Sequence, residues 1–131
     1  MTTSLLQKLH SEFLGDDWPE FKYAEQNNDN VKFLIKIPSS LSWFTGHFPG
    51  TPVLPGVVQI HWATRLFLFT SGHSQLPTTI TNLKFKEVML PDMTIELNID
   101  IFADKDSATF CYRNKEQTFS SGSLKFPSTV K

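Results

Sequence analysis

Gly46-His47-Phe48-Pro49-Gly50-Thr51-Pro52-Val53-Leu54-Pro55-Gly56-Val57-Val58-Gln59-Ile60-His61 joins two stretches of opposite physical character. Up to Pro55 the chain cannot hold regular structure for long, because Pro49, Pro52 and Pro55 each fix φ and lack a backbone donor. The prolines stiffen this loop and hold His47 in a defined place. After Pro55-Gly56 the character changes. Val57 to Thr70 contains no turn residue and is apolar on nearly every side, which predicts a buried helix over 56–70. At its start, Gly56 leaves backbone N–H groups without intrahelical acceptors, at the positive end of the helix dipole. An imidazole facing such a helix start suits acid–base work beside a polarised carbonyl. On the residues alone, His47 reads equally well as a structural loop histidine.

Upstream of the loop, Val31, Phe33, Ile35 and Ile37 alternate with Lys32, Leu34 and Lys36, and Pro38 ends this strand. Leu5, Leu6, Leu9 and Phe13 follow Thr3-Ser4 at helical spacing, which predicts an N-terminal helix within 1–15 and a stop at Gly15. Asp16 to Glu20 reads as a loop. Downstream the chain is β. Ile80, Leu83 and Phe85 lead to a turn at Leu90-Pro91-Asp92, and Ile95, Leu97, Ile99 and Ile101 alternate with Glu96, Asn98 and Asp100. Two further strands follow, Ala108 to Arg113 and Thr118 to Phe126, separated by polar turns. One buried helix and about five mostly antiparallel strands make a single α+β domain over 1–131, with the helix against one sheet face.

The 131 residues carry 12 basic and 13 acidic side chains, a balance that argues against a nucleic-acid binder. A composition 40% apolar and 19% charged excludes a disordered chain. The most apolar stretch, Val57 to Phe69, is interrupted by Gln59, His61 and Arg65 and is too short to span a bilayer. Cys111 is the single cysteine, so no intramolecular disulfide exists, and its strand-like neighbours make it a small apolar filler. No signal peptide is evident, and the expected location is cytoplasmic. Twelve phenylalanines imply either a thick core or a dry tunnel.

Gly46-His47-Phe48-Pro49-Gly50 with Pro52 and Pro55-Gly56-Val57 resembles the motif of the β-hydroxyacyl-ACP dehydratases, enzymes of the hotdog fold. Phe85-Lys86 and Leu90-Pro91-Asp92 extend the resemblance over most of residues 31–126. Pro-Val-Leu-Pro-Gly-Val-Val-Gln followed by Trp62-Ala63 is most similar to the small dehydratases of aryl-polyene pathways. The resemblance implies an antiparallel sheet wrapped around a long central helix, and removal of water from 3-hydroxyacyl chains carried on the phosphopantetheine arm of acyl carrier protein. No other cofactor and no metal are implied. It also implies a dimer, of two identical chains or with a related dehydratase subunit, in which the loop histidine and the helix residue come from different protomers.

Carried over residue by residue, the resemblance makes His47 the base for the α-proton and gives the Gly56 amide to the thioester carbonyl. Phe48, within the motif, and Arg65, on the same helix face as His61, are candidate substrate-binding residues. The second catalytic position falls on His61, where the family carries Glu or Asp. Because Arg65 lies one helical turn on and a cation disfavours imidazolium, a neutral His61 is expected unless an acidic residue screens Arg65. Read without the resemblance, His61 is a polar residue satisfied inside a buried helix. A hotdog thioesterase, which usually needs a carboxylate to activate water, and a non-catalytic subunit of a mixed dimer are the competing functions. Of the remaining histidines, His10 and His73 are expected to be solvated. Lys84, Lys86 and Lys125 form a candidate basic rim for an acidic carrier protein.

Overall fold

The computed structural model describes residues 4–44, 53–72, 75–115 and 117–127. Helix α1 (Leu5–Glu12) is followed by strands β1 (Glu20–Gln26) and β2 (Asn30–Lys36), helix α2 (Gly56–Ser71), and strands β3 (Thr79–Phe85), β4 (Thr94–Phe102), β5 (Ser107–Arg113) and β6 (Thr118–Lys125). The strands form one sheet in the order β1-β2-β4-β5-β6-β3, with every neighbouring pair antiparallel. Alternation decides which face is buried. Val31, Phe33 and Ile35 of β2, Ile95, Leu97 and Ile99 of β4, and Ala108, Phe110 and Tyr112 of β5 all turn to the core. Val58, Trp62, Ala63, Leu66 and Phe67 of α2 join the same cluster.

Two expectations are corrected in extent. The N-terminal helix is shorter than 1–15: Ser4 caps it in a reciprocal box with Gln7, and the chain leaves helical geometry at Phe13, two residues before Gly15 at φ 95°. The described residues form six strands rather than about five, because Glu20–Gln26 pairs with β2. That strand carries no alternating pattern. Only Phe21 is fully buried, and a register shift between Phe21 and Tyr23 breaks the period.

The central helix begins at Gly56 as predicted, but it is not buried all round. One sheet covers one side of it, and Val57, His61 and Arg65, spaced four apart, form an exposed stripe along the other. Strand β3 is exposed at every position, and it presents Ile80, Leu83 and Phe85 at the margin of the sheet. The phenylalanine surplus resolves mainly into core. Phe13, Phe21, Phe33, Phe67, Phe110, Phe119 and Phe126 are buried in a single cluster. Among the described residues, no helix is long and apolar enough to cross a membrane.

Candidate active site

The start of α2 is held by a buried polar knot. Gln59 reaches back with its Nε2 to donate to the Leu54 carbonyl at 3.1 Å, and its Oε1 accepts from the Ser120 hydroxyl at 2.6 Å. Tyr112, fully buried on β5, donates its hydroxyl to the Gln59 backbone carbonyl at 2.6 Å. Burial pushes this phenol well above the ordinary range, so it stays a donor. Helix, loop end and two strands are thus tied at one residue. Leu54 is fixed a second time, its N–H donating to the Met89 carbonyl at 2.9 Å.

At the helix start, Pro55 occupies the cap position, and the first helical bonds run from Val58 and Gln59 to its carbonyl. The Gly56 and Val57 amides precede those bonds, as at any helix start. The ring of Phe85, at the end of β3, lies directly over Gly56: a Cβ there would meet Cε1 and Cζ at 2.9 Å. A methyl at that position would require the Phe85 ring to shift.

His61 stands on the exposed stripe, in the second turn of α2. Its imidazole stacks on the indole of Trp18, with ring centroids 5.3 Å apart and planes 26° from parallel. Burial, together with the Arg65 guanidinium one turn on, lowers its pKa from the ordinary 6.5, and the Asp17 carboxylate opposes this shift. The imidazole is therefore mainly neutral at pH 7, as Arg65 led us to expect. The screening acid exists, but it does not prevail. Neither Asp17 nor Trp18 stands out in the sequence, because both lie in an irregular segment that only the fold brings to the helix.

Gly56 opens α2, and His61 and Arg65 follow along the same helix on its exposed stripe. His47 and Phe48 lie outside the described residues, as does His73. The chain enters the His47 loop from a short 3₁₀ turn, Ser42–Phe44, and Ser42 bonds to the segment beside His61 through its N–H to the Asp16 carbonyl at 2.9 Å. His10 is exposed, as expected, and its Nε2 bonds to the Phe21 carbonyl at 2.9 Å. One further expectation needs revision. The basic rim is divided: Lys84 pairs with Ser121 while Lys125 pairs with Thr79, at opposite ends of β3.

Residues 23–123 match the model of the ApeI-like family, described as ApeI dehydratase. The chain belongs to the ApeI-like dehydratase family. In the solved dehydratase heterocomplex ApeI:P from Xenorhabdus doucetiae, the matching chain is 31% identical and superposes with a TM-score of 0.77, covering 82% of this chain and 96% of that one. An uncharacterized protein from Erwinia carotovora is similar, at 28% identity and a TM-score of 0.74 over 87% of this chain and 99% of that one. The fold of this dehydratase-family chain is accordingly the hotdog fold, an antiparallel sheet with one long helix. The 3-hydroxyacyl-[acyl-carrier-protein] dehydratase FabZ of Haemophilus influenzae is 31% identical, over 81% of this chain and 74% of its own length. FabZ of Pseudothermotoga lettingae is 30% identical over 60% of this chain, and the match spans 59% of its own length.

Proposed function

We propose that this chain dehydrates 3-hydroxyacyl thioesters carried on acyl carrier protein to trans-2-enoyl thioesters, in a cytoplasmic fatty-acid-like or aryl-polyene pathway. The observation that carries the reading is the position of His61. The resemblance gives it the family's second catalytic place, and it is exposed, one turn behind Gly56, on the helix that follows the His47 motif. The family match over residues 23–123 and the resemblance to FabZ supply the substrate class.

His47 takes the proton from C2, the electron pair moves into the C2–C3 bond, and the C3–O bond breaks. A neutral His61 donates one N–H to the substrate hydroxyl and orients it as it leaves. The departing hydroxide is neutralised by the proton now on His47, so water and the enoyl thioester are the only products. The Gly56 amide, at the positive end of α2, receives the charge that develops on the thioester oxygen. Phe48 and Arg65 complete the substrate contacts, and the phosphopantetheine arm is the only prosthetic group required.

The site is shared between two protomers. The exposed margin of β3 and the uncovered Val57–His61–Arg65 stripe both support a partner there, either a second copy or a related subunit, as in the ApeI:P heterocomplex. The test is mass spectrometry of a 3-hydroxyacyl carrier protein incubated with the purified chain. Loss of one water from the carried acyl group is expected. A released free acid would instead identify a thioesterase, and an unchanged acyl group, with or without a related subunit, would refute the proposal.

A further inference from the structure

Two adjacent helix residues grip two adjacent loop residues. Trp62, fully buried, donates its indole N–H to the Asp17 carbonyl at 2.9 Å, while the preceding His61 lies against the ring of Trp18 at 5.3 Å. Trp18 is itself held from behind by Phe13, edge to face at 4.6 Å, and Phe13 by Phe69 of α2 at 5.2 Å. The Asp17 carboxylate accepts from the Ser42 hydroxyl at 2.5 Å, and Ser42 opens the 3₁₀ turn that leads into the His47 loop. The charged groups facing His61 are Arg65 on its own helix and Asp17 on the loop between α1 and β1. A neutral imidazole on an exposed helix face would otherwise rotate freely about χ1 and χ2, and the entropy of fixing it would fall on the reaction.

We propose that Asp17 and Trp18 are positioning residues for His61. Trp18 fixes the plane of the imidazole, and Asp17 supplies the carboxylate of the site from a loop, at a distance from the family's helix position. Through Ser42, the same loop also holds the 3₁₀ turn Ser42–Phe44. The role assigned to His61 rests on the dehydratase reading; the geometry of the anchor does not.

The test uses three variants of the full chain and two readouts. Trp18→Leu keeps apolar bulk without a ring, Trp18→Phe keeps a ring, and Asp17→Asn keeps an acceptor for Ser42 without the charge. By NMR, the His61 ring protons are expected to lose their upfield ring-current shift in Trp18→Leu and to retain part of it in Trp18→Phe. The His61 titration midpoint is expected to fall in Asp17→Asn. In turnover, Trp18→Leu is expected to lower kcat by roughly one to two orders of magnitude at nearly constant KM, with most of the rate restored in Trp18→Phe. An unshifted His61 resonance in Trp18→Leu, or an unmoved titration in Asp17→Asn, would overturn the anchor. So would a kcat loss that merely follows the melting temperature. If the parent chain dehydrates nothing, the dehydratase reading fails, and the NMR readouts still decide the anchor.

Discussion

Replacing Ser120 by Ala removes the hydroxyl that donates to Gln59 Oε1 at 2.6 Å, in a place where neither side chain meets water. The amide oxygen then stays buried without its donor, which costs about 1–3 kcal/mol, whereas the lost hydroxyl leaves too little space for a replacement water. For a domain of this size, a loss near 2 kcal/mol lowers the melting temperature by roughly 6–10 °C. Gln59→Met removes the other partner at similar volume, and it also frees the Leu54 carbonyl from Nε2. In Ser120→Ala/Gln59→Met, nothing polar is left unpaired between helix and strand. The double variant should therefore be more stable than the sum of the single losses by about 1 kcal/mol. Urea unfolding followed by circular dichroism measures all four corners of this cycle. Additivity to within ~0.4 kcal/mol would refute the claim that the pair couples α2 to β6.

Trp62→Phe takes the indole N–H from the Asp17 carbonyl and should cost about 1–3 kcal/mol in urea unfolding; an unchanged midpoint would deny that bond any weight. Gly56→Ala should destabilise the parent chain, since the new methyl overlaps the Phe85 ring by more than a helix gain of about 1 kcal/mol offsets. In a Phe85→Ala background the same change should become neutral or stabilising, and failure of the sign to reverse in thermal melts would contradict the packing. Burial and Arg65 lower the His61 pKa, so the folded chain binds that proton more weakly than the unfolded one. Stability from this residue is therefore full above the unfolded value of about 6.5 and is lost as pH falls through that value toward the lowered folded one. His61→Gln should flatten that part of the stability–pH profile, and an identical profile would show that the histidine titrates freely.

The parts of the molecule with a strict period were legible in its sequence. Ile95, Leu97 and Ile99 announce β4, and Pro55-Gly56 marks the start of α2 to the residue. Strand β1 was not legible, because Phe21 alone faces the core and the register slips beside it. The helix was expected to be buried on every side. Hydropathy could not separate the face under the sheet from the face that Val57, His61 and Arg65 leave open. The motif and its helical spacing point to Gly56, His61 and Arg65 as candidates. Asp17 and Trp18 did not, since no local pattern ties a loop residue to a helix more than forty positions away. The polar knot at Gln59 was hidden for the same reason: its partners, Tyr112 and Ser120, belong to strands whose register only the folded sheet sets.

The central claim is that His47 of the Gly46-His47-Phe48-Pro49-Gly50 motif removes the α-proton of a carrier-bound 3-hydroxyacyl group. The most direct measurement is the absorbance of the conjugated enoyl thioester, formed by the parent chain and by His47→Ala from the same substrate. The account predicts a steady rise with the parent chain and a rate lower by about 10²–10⁴ with His47→Ala, the range expected when a positioned acid–base group is lost. Full activity in His47→Ala would contradict it.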